Sequence, residues 1–199
     1  MALGFAEDMD CEEIRRQELI GSSARMAIDE LRHALQGGGV YALVGEYGTG
    51  KTFLLRKLST IVDGLHIVNL RRGNDVSCSN SLNGSSMYAI DNFEMLLRKP
   101  AIYADKVREI INSASFLVVS ISTSGGPIYG GSIVEIHDIL SKLQGAKKIR
   151  IEVGSDEASK IIKSAGITVN MPLLMKTPGL IIRAFGGRKS SNDDTYTLI

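Results

Sequence analysis

The chain has 199 residues, of which 44% are apolar and 23% charged, and a formal net charge of +1. That is the make-up of an ordinary globular domain large enough to bury a core, and its charge balance excludes a globally basic nucleic-acid or membrane footprint while leaving room for a local basic patch. No stretch approaches about eighteen uninterrupted apolar residues and Met1–Asp10 lacks the basic start of a signal peptide, so a soluble internal protein with no membrane partner is expected.

Residues 11–36 carry Ile14, Leu19, Ile20, Ile28, Leu31 and Leu35 among Glu, Arg and Asp, a helical pattern. Gly21-Ser22-Ser23 is a weak point that splits the segment, with Ser22 or Ser23 capping the second piece. Gly37-Gly38-Gly39 stops that helix, so 1–36 form an N-terminal helical segment and 37–199 the main domain. Cys11 and Cys78 show no metal spacing and suggest no disulfide framework, which fits a reducing cytoplasm.

Val40–Val44 is an apolar run short enough for a buried strand, and Phe53–Leu58 opens a helix with Leu54, Leu55, Leu58 and Ile61 on one face. Between them, residues 45–52 read Gly-Glu-Tyr-Gly-Thr-Gly-Lys-Thr, a complete G-x-x-x-x-G-K-[ST] phosphate-binding loop. Gly45, Gly48 and Gly50 let the backbone curl so that successive N–H groups point inward, and the helix opening at Gly50 and Lys51 adds its positive dipole end. Lys51 is expected to reach the β- and γ-phosphates and the Thr52 hydroxyl to ligate Mg²⁺. The nucleotide-binding set is Gly45, Glu46, Tyr47, Gly48, Thr49, Gly50, Lys51, Thr52 and Phe53. A glycine turn with an incidental lysine is the bland alternative; strand before and helix behind argue against it.

Leu65–Leu70 is the next strand, followed by a polar, turn-rich loop over 71–86 with Arg71-Arg72 at its root. Met87–Ile90 is a buried strand ending at Asp91, and helices follow over Asn92–Arg98 and, after Pro100, Ala101–Ser113. Phe116–Ile121 is the most strand-like run in the chain and leads into a turn cluster, Ser122–Pro127. Residues 132–143 form an amphipathic helix, Lys148–Val153 a fifth strand, and Ser155-Asp156-Glu157 caps a short helix through Ser164 that Gly166 closes. Leu180–Phe185 and Thr195–Ile199 can pair as a terminal hairpin. Strands alternating with helices give an α/β fold: a mostly parallel five-stranded P-loop NTPase sheet, helices on both faces, and a C-terminal antiparallel hairpin. His33, His66 and His137 are scattered without metal spacing.

A carboxylate at the carboxyl end of a buried strand sits where ligands bind in open α/β sheets, so Asp91 either holds Mg²⁺ opposite Thr52 or caps the following helix. Glu94 is placed either to polarise an attacking water as general base or as a solvated helix residue, with Asn92 a weaker candidate for orienting water. Ser120, Ser122 and Thr123 offer hydroxyls near the γ-phosphate, Ser122 being the chosen one, although strands also end on such residues for structural reasons.

Gly45–Thr52, the strand ending at Asp91 with Glu94 beyond, and the polar end of Phe116–Ile121 together resemble the additional-strand class of P-loop ATPases, which contains the AAA+ and RecA-like proteins. The similarity covers roughly residues 30–165. It implies that Phe116–Ile121 lies between the loop strand and the Asp91 strand, with its end at the sensor position. The helix before Gly37, the D-x-x-E of Asp91 and Glu94, and Lys148–Val153 running into a short helix look like AAA+, whereas residues 165–199 are too few for a full AAA+ lid. The hairpin around Arg183 and Arg188 instead resembles RecA-like motors. Both branches imply rings or filaments, as a homo-oligomer or with partner ATPase subunits, and a basic residue supplied in trans. Arg71, Arg72, Arg183 and Arg188 are its candidates, each also readable as a solvated surface charge.

The implied function is a Mg²⁺-dependent ATPase that binds and hydrolyses ATP to drive a conformational or assembly change, in a DNA-related process of loader, recombination or packaging type. DNA would meet short basic clusters at Arg71-Arg72, Lys147-Lys148 or Arg183-Arg188-Lys189. The alternative is a nucleotide-dependent switch or regulatory subunit with little or no hydrolysis. A nucleotide kinase ranks lower, because residues 121–131 carry no arginine for a lid over the acceptor. No guanine-reading tetrad is present, which favours adenine.

Overall fold

Four short apolar runs and one alternating strand, whose Ile149 and Ile151 are buried while its lysines and arginine are exposed, dictate the layering. The computed structural model describes residues 9–78, 86–123 and 136–164. Strands β1 (Gly39–Gly45), β2 (Leu65–Asn69), β4 (Met87–Asp91), β5 (Phe116–Ser122) and β6 (Lys147–Ile151) pair in parallel. A two-residue β3 (Asn74–Asp75) adds antiparallel to β2, giving six strands in the order β3-β2-β4-β5-β1-β6. The sixth strand corrects the expected five. It lies inside the polar 71–86 stretch, and both its residues are exposed, so it has no apolar alternation to betray it. β5 stands between β1 and β4, as the resemblance implied. The proposed terminal hairpin lies outside the described residues.

The period-two alternation of the strands sorts their side chains onto two faces. On one, Leu43, Ile67, Ala89 and Val118 pack against Ala27, Ile28 and Leu31 of α2 (Ser22–Gly37) and Leu54, Leu55 and Leu58 of α3 (Lys51–Ser59). On the other, Ala42, Val68, Ile90, Leu117 and Val119 meet Leu96 of α4 (Glu94–Arg98), Val107 and Ile110 of α5 (Pro100–Ser113) and Ile139 of α6 (His137–Leu143). Each such fully buried aliphatic side chain contributes about 1.5–3 kcal/mol of transfer free energy, which is what fixes the register.

The N-terminal segment divides at Gly21 as expected, into α1 (Cys11–Arg16) and α2, leaving Leu19 and Ile20 outside both. The cap differs from expectation. Neither Ser22 nor Ser23 caps α2; the carboxylate of Glu157, on α7 (Ser155–Ser164), accepts from the Ser22 amide at 2.9 Å. Asn92, expected to open α4, has φ 57° and stands before it. Only residues 137–143 of the predicted 132–143 helix are α6; 132–135 lie outside the described residues.

Cys11 and Cys78 form a disulfide with Cα atoms 5.3 Å apart, contrary to the reading of their spacing. The Arg56 guanidinium, on α3, lies against both sulfurs at 3.7 and 3.6 Å and donates to Met9 O at 2.8 Å and Val76 O at 3.2 Å. Lys57 donates to the carbonyls of Ile14, Arg15 and Gln17, closing the C-terminal end of α1. Among the described residues no helix is long and apolar enough to cross a membrane.

Candidate nucleotide site

The site is built where β1 ends and α3 begins. Gly45 is flanked by Ser122 of β5 and Ile151 of β6, and a Cβ there would meet Ile151 O at 2.7 Å and Thr49 Oγ1 at 2.9 Å. Only glycine fits so tight a passage. The loop then turns through Gly50, whose φ of 90° is left-handed, into α3. Thr49 Oγ1 donates to Glu46 O at 2.9 Å and braces the turn from within. No side chain caps α3, so the first-turn amides beyond Gly50 are available to an anion and carry the positive end of the dipole.

Lys51 is 7% exposed and folds back onto the loop, donating to Gly45 O at 3.0 Å and Glu46 O at 2.7 Å. Burial pulls its pKa below the ordinary lysine value, and the negative charges of Glu94, then Asp91, then Glu46 oppose the fall. Glu94 is therefore electrostatically close to Lys51 although 43 positions separate them in sequence.

Thr52 Oγ1 donates to Asp91 Oδ2 at 2.8 Å. Asp91 is 1% exposed, and its carboxylate is the centre of a polar knot. Asn69 Nδ2 and Asn92 Nδ2 each donate to Oδ2 at 3.1 Å, and Ser120 Oγ donates to Oδ1. Four donors therefore converge on this one buried carboxylate. The left-handed turn at Asn92 brings its amide to Ser120 Oγ at 3.1 Å. Glu94 Oε2 accepts from the Ser122 amide at 3.3 Å.

The structure thus brings Lys51, Thr52, Asp91, Glu94 and the end of β5 together. It separates Ser122, the hydroxyl chosen from the sequence, from Ser120: Ser120 holds Asp91 with its side chain, whereas Ser122 reaches Glu94 through its backbone. Phe53 is half-buried on the first turn of α3. Asn69 went unnoticed in the sequence. It is a polar residue at the carboxyl end of an apolar strand, the same signal that marks Asp91, and it stands beside Asp91 in the β2–β4 register.

A hydroxyl and a carboxylate 2.8 Å apart form a pair of hard oxygen donors that suits Mg²⁺, the rest of the shell coming from water and phosphate oxygens. Among the described residues no three His, Cys, Asp or Glu side chains converge, so an all-protein metal cage is not on offer there. A cavity of about 390 Å³ adjoins the loop on the β6 side, bounded by Gly45, Thr49, Thr123, Arg150 and Val153.

No protein-family model and no curated protein matches the chain. Solved structures do. A DNA replication initiation factor superposes with a TM-score of 0.53 at 17% identity, over 79% of this chain and 53% of that one. The replication initiator DnaA bound to AMPPCP and single-stranded DNA gives 0.52 at 17%, over 78% and 53%. AMPPCP-bound DnaA from Aquifex aeolicus gives 0.53 at 14%, over 89% and 65%. The chain spans about half the length of the first two. At these identities the likeness shows the fold alone: this chain shares its mostly parallel sheet and phosphate-loop architecture with these replication initiators.

Proposed function

We propose that the chain is a Mg²⁺-dependent ATPase of the AAA+ type that acts through oligomeric assembly in a DNA-related process in the cytoplasm. The Thr52–Asp91 hydrogen bond carries this reading, because it joins the phosphate loop to a strand-end carboxylate that a triphosphate with its metal requires. The DNA-related part is supported by the shared fold with replication initiators, one of them bound to AMPPCP and single-stranded DNA.

In this reading the loop amides and the α3 dipole bind the phosphates, and Lys51 exchanges Gly45 O and Glu46 O for the β- and γ-phosphate oxygens. Thr52 and Asp91 would hold Mg²⁺, whose charge would offset the charge developing on those oxygens. Glu94 accepts the proton of the attacking water. The Ser122 amide orients Glu94, and the end of β5 is where the terminal phosphate is sensed. Lys51→Ala should abolish triphosphate turnover in the purified chain; unchanged turnover refutes the site.

A switch or regulatory role with little hydrolysis is the second reading. It is favoured by Lys51 being held by two carbonyls of its own loop. Phosphate release with and without single- and double-stranded DNA separates the two. Stimulation by DNA supports the motor or loader, and tight ATP binding with negligible turnover supports the switch.

A further inference from the structure

We infer that Arg71 is a specificity residue for the terminal phosphate of the bound nucleotide, held at the lip of the phosphate loop by the Tyr47 hydroxyl. This rests on the triphosphate site proposed above and adds to it a cation from outside the loop.

Arg71 Nη1 donates to Tyr47 OH at 2.6 Å. Tyr47 lies within the phosphate loop, between Gly45 and Lys51, and Arg71 lies on the turn leaving β2. That turn is anchored on both sides. Asn69 Oδ1 accepts from the Arg72 amide at 3.1 Å, Asn69 O accepts from the Gly73 amide at 2.8 Å, and the Leu70 amide donates to Asp91 O at 3.1 Å. The guanidinium therefore springs from the same Asn69–Asp91 knot that places the metal carboxylate.

The sheet order decides which end of the nucleotide it meets. From β1, the strands β5, β4 and β2 run to one side, while β6 and the cavity lie on the other. A metal held by Thr52 and Asp91 would neutralise the outer phosphates, which places the terminal phosphate on the Asp91 side. Arg71 approaches from that side, on the turn leaving β2, the strand beyond β4.

The chemistry of the contact also points to an anion. A guanidinium has five N–H donors and suits bidentate phosphate binding. Tyr47 engages one of them without cancelling the charge, which a carboxylate in its place would do. Arg71 is exposed, and among the described residues it makes no ion pair. A diphosphate lacks the γ-phosphate that this cation would bind, so the effect falls on triphosphates.

The test is equilibrium titration of the full chain with Mg²⁺ and either AMPPCP or ADP, for the wild type and for Arg71→Ala, Arg71→Lys, Tyr47→Phe and Lys51→Ala. Arg71→Ala should weaken AMPPCP about tenfold, the order expected for one charge-assisted hydrogen bond, and leave ADP within about twofold. Tyr47→Phe should move the ratio of the two affinities in the same direction by less, and Arg71→Lys should fall between. If Arg71→Ala and Arg71→Lys leave that ratio unchanged while Lys51→Ala abolishes binding, the role of Arg71 is overturned and the triphosphate site stands. If the wild type binds neither nucleotide, both fall.

Discussion

The Thr52 hydroxyl and the Asp91 carboxylate, 39 positions apart in sequence, meet at 2.8 Å across the sheet. One belongs to the first turn of α3 and the other to the end of β4, two strands from β1. In the proposed function they are the place where the phosphate loop meets the carboxylate assigned to the metal.

Asp91→Asn and Asp91→Ala should separate chemistry from folding. The amide keeps the size but not the charge, so turnover should drop at least a hundredfold by loss of the metal ligand. Alanine leaves the donors from Thr52, Asn69, Asn92 and Ser120 without their shared acceptor, which should cost about 3 kcal/mol of stability. Urea unfolding and phosphate release measure the two effects. Full turnover in the asparagine variant would contradict the metal assignment.

The two β5 hydroxyls should differ in kind. Ser120→Ala removes a buried donor to Asp91 and should lower stability by about 1–2 kcal/mol, whereas Ser122→Ala, whose amide rather than side chain meets Glu94, should leave the urea midpoint nearly unchanged. Equal destabilisation by both would show that the Ser120–Asp91 bond carries no special weight.

The disulfide should show itself through reductant. Loop-closure entropy for a bridge spanning 67 residues gives an upper value of about 4 kcal/mol. Thermal melts with and without dithiothreitol should therefore diverge for the wild type and coincide for Cys78→Ser. A thiol assay on the unfolded, unreduced chain should find no free thiol; two free thiols would mean the bridge is not formed.

Glu157 predicts a pH dependence whose sign follows from its surroundings. The amides of Ser22 and Gly154 hold its carboxyl below the ordinary glutamate value. A depressed folded value means the unfolded chain takes up the proton first, so this contribution is present above the unfolded pKa and is lost as pH falls through the folded one. Unfolding free energy measured from neutral to acid pH should fall less steeply for Glu157→Gln than for the wild type. Identical slopes would remove Glu157 from the account.

Much of the molecule was legible because the signals are local. The phosphate loop is contiguous, the apolar runs of β1, β4 and β5 need no partner to be recognised, and Asp91 closes its own strand. What escaped was decided at a distance. β3 exists only because β2 offers it an edge. Cys11 and Cys78 meet through the docking of α1 on α3, which no spacing encodes. Ser22 looked like a cap because nothing in its neighbourhood announces Glu157, 135 positions away. Asn69 differed from these: its place at a strand end was visible, and only the habit of looking for charge hid it.

The grip of α3 on α1 has a mechanical consequence. Less than two turns of helix, roughly 9 Å from Lys51 to Lys57 at the usual rise, connect the amides offered to phosphate with the Arg56 and Lys57 side chains that clasp the amino-terminal turn. Such a strut transmits displacement rather than absorbing it. Under the proposed function, a shift of the phosphate loop would therefore be felt at the amino-terminal turn that Arg56 and Lys57 hold.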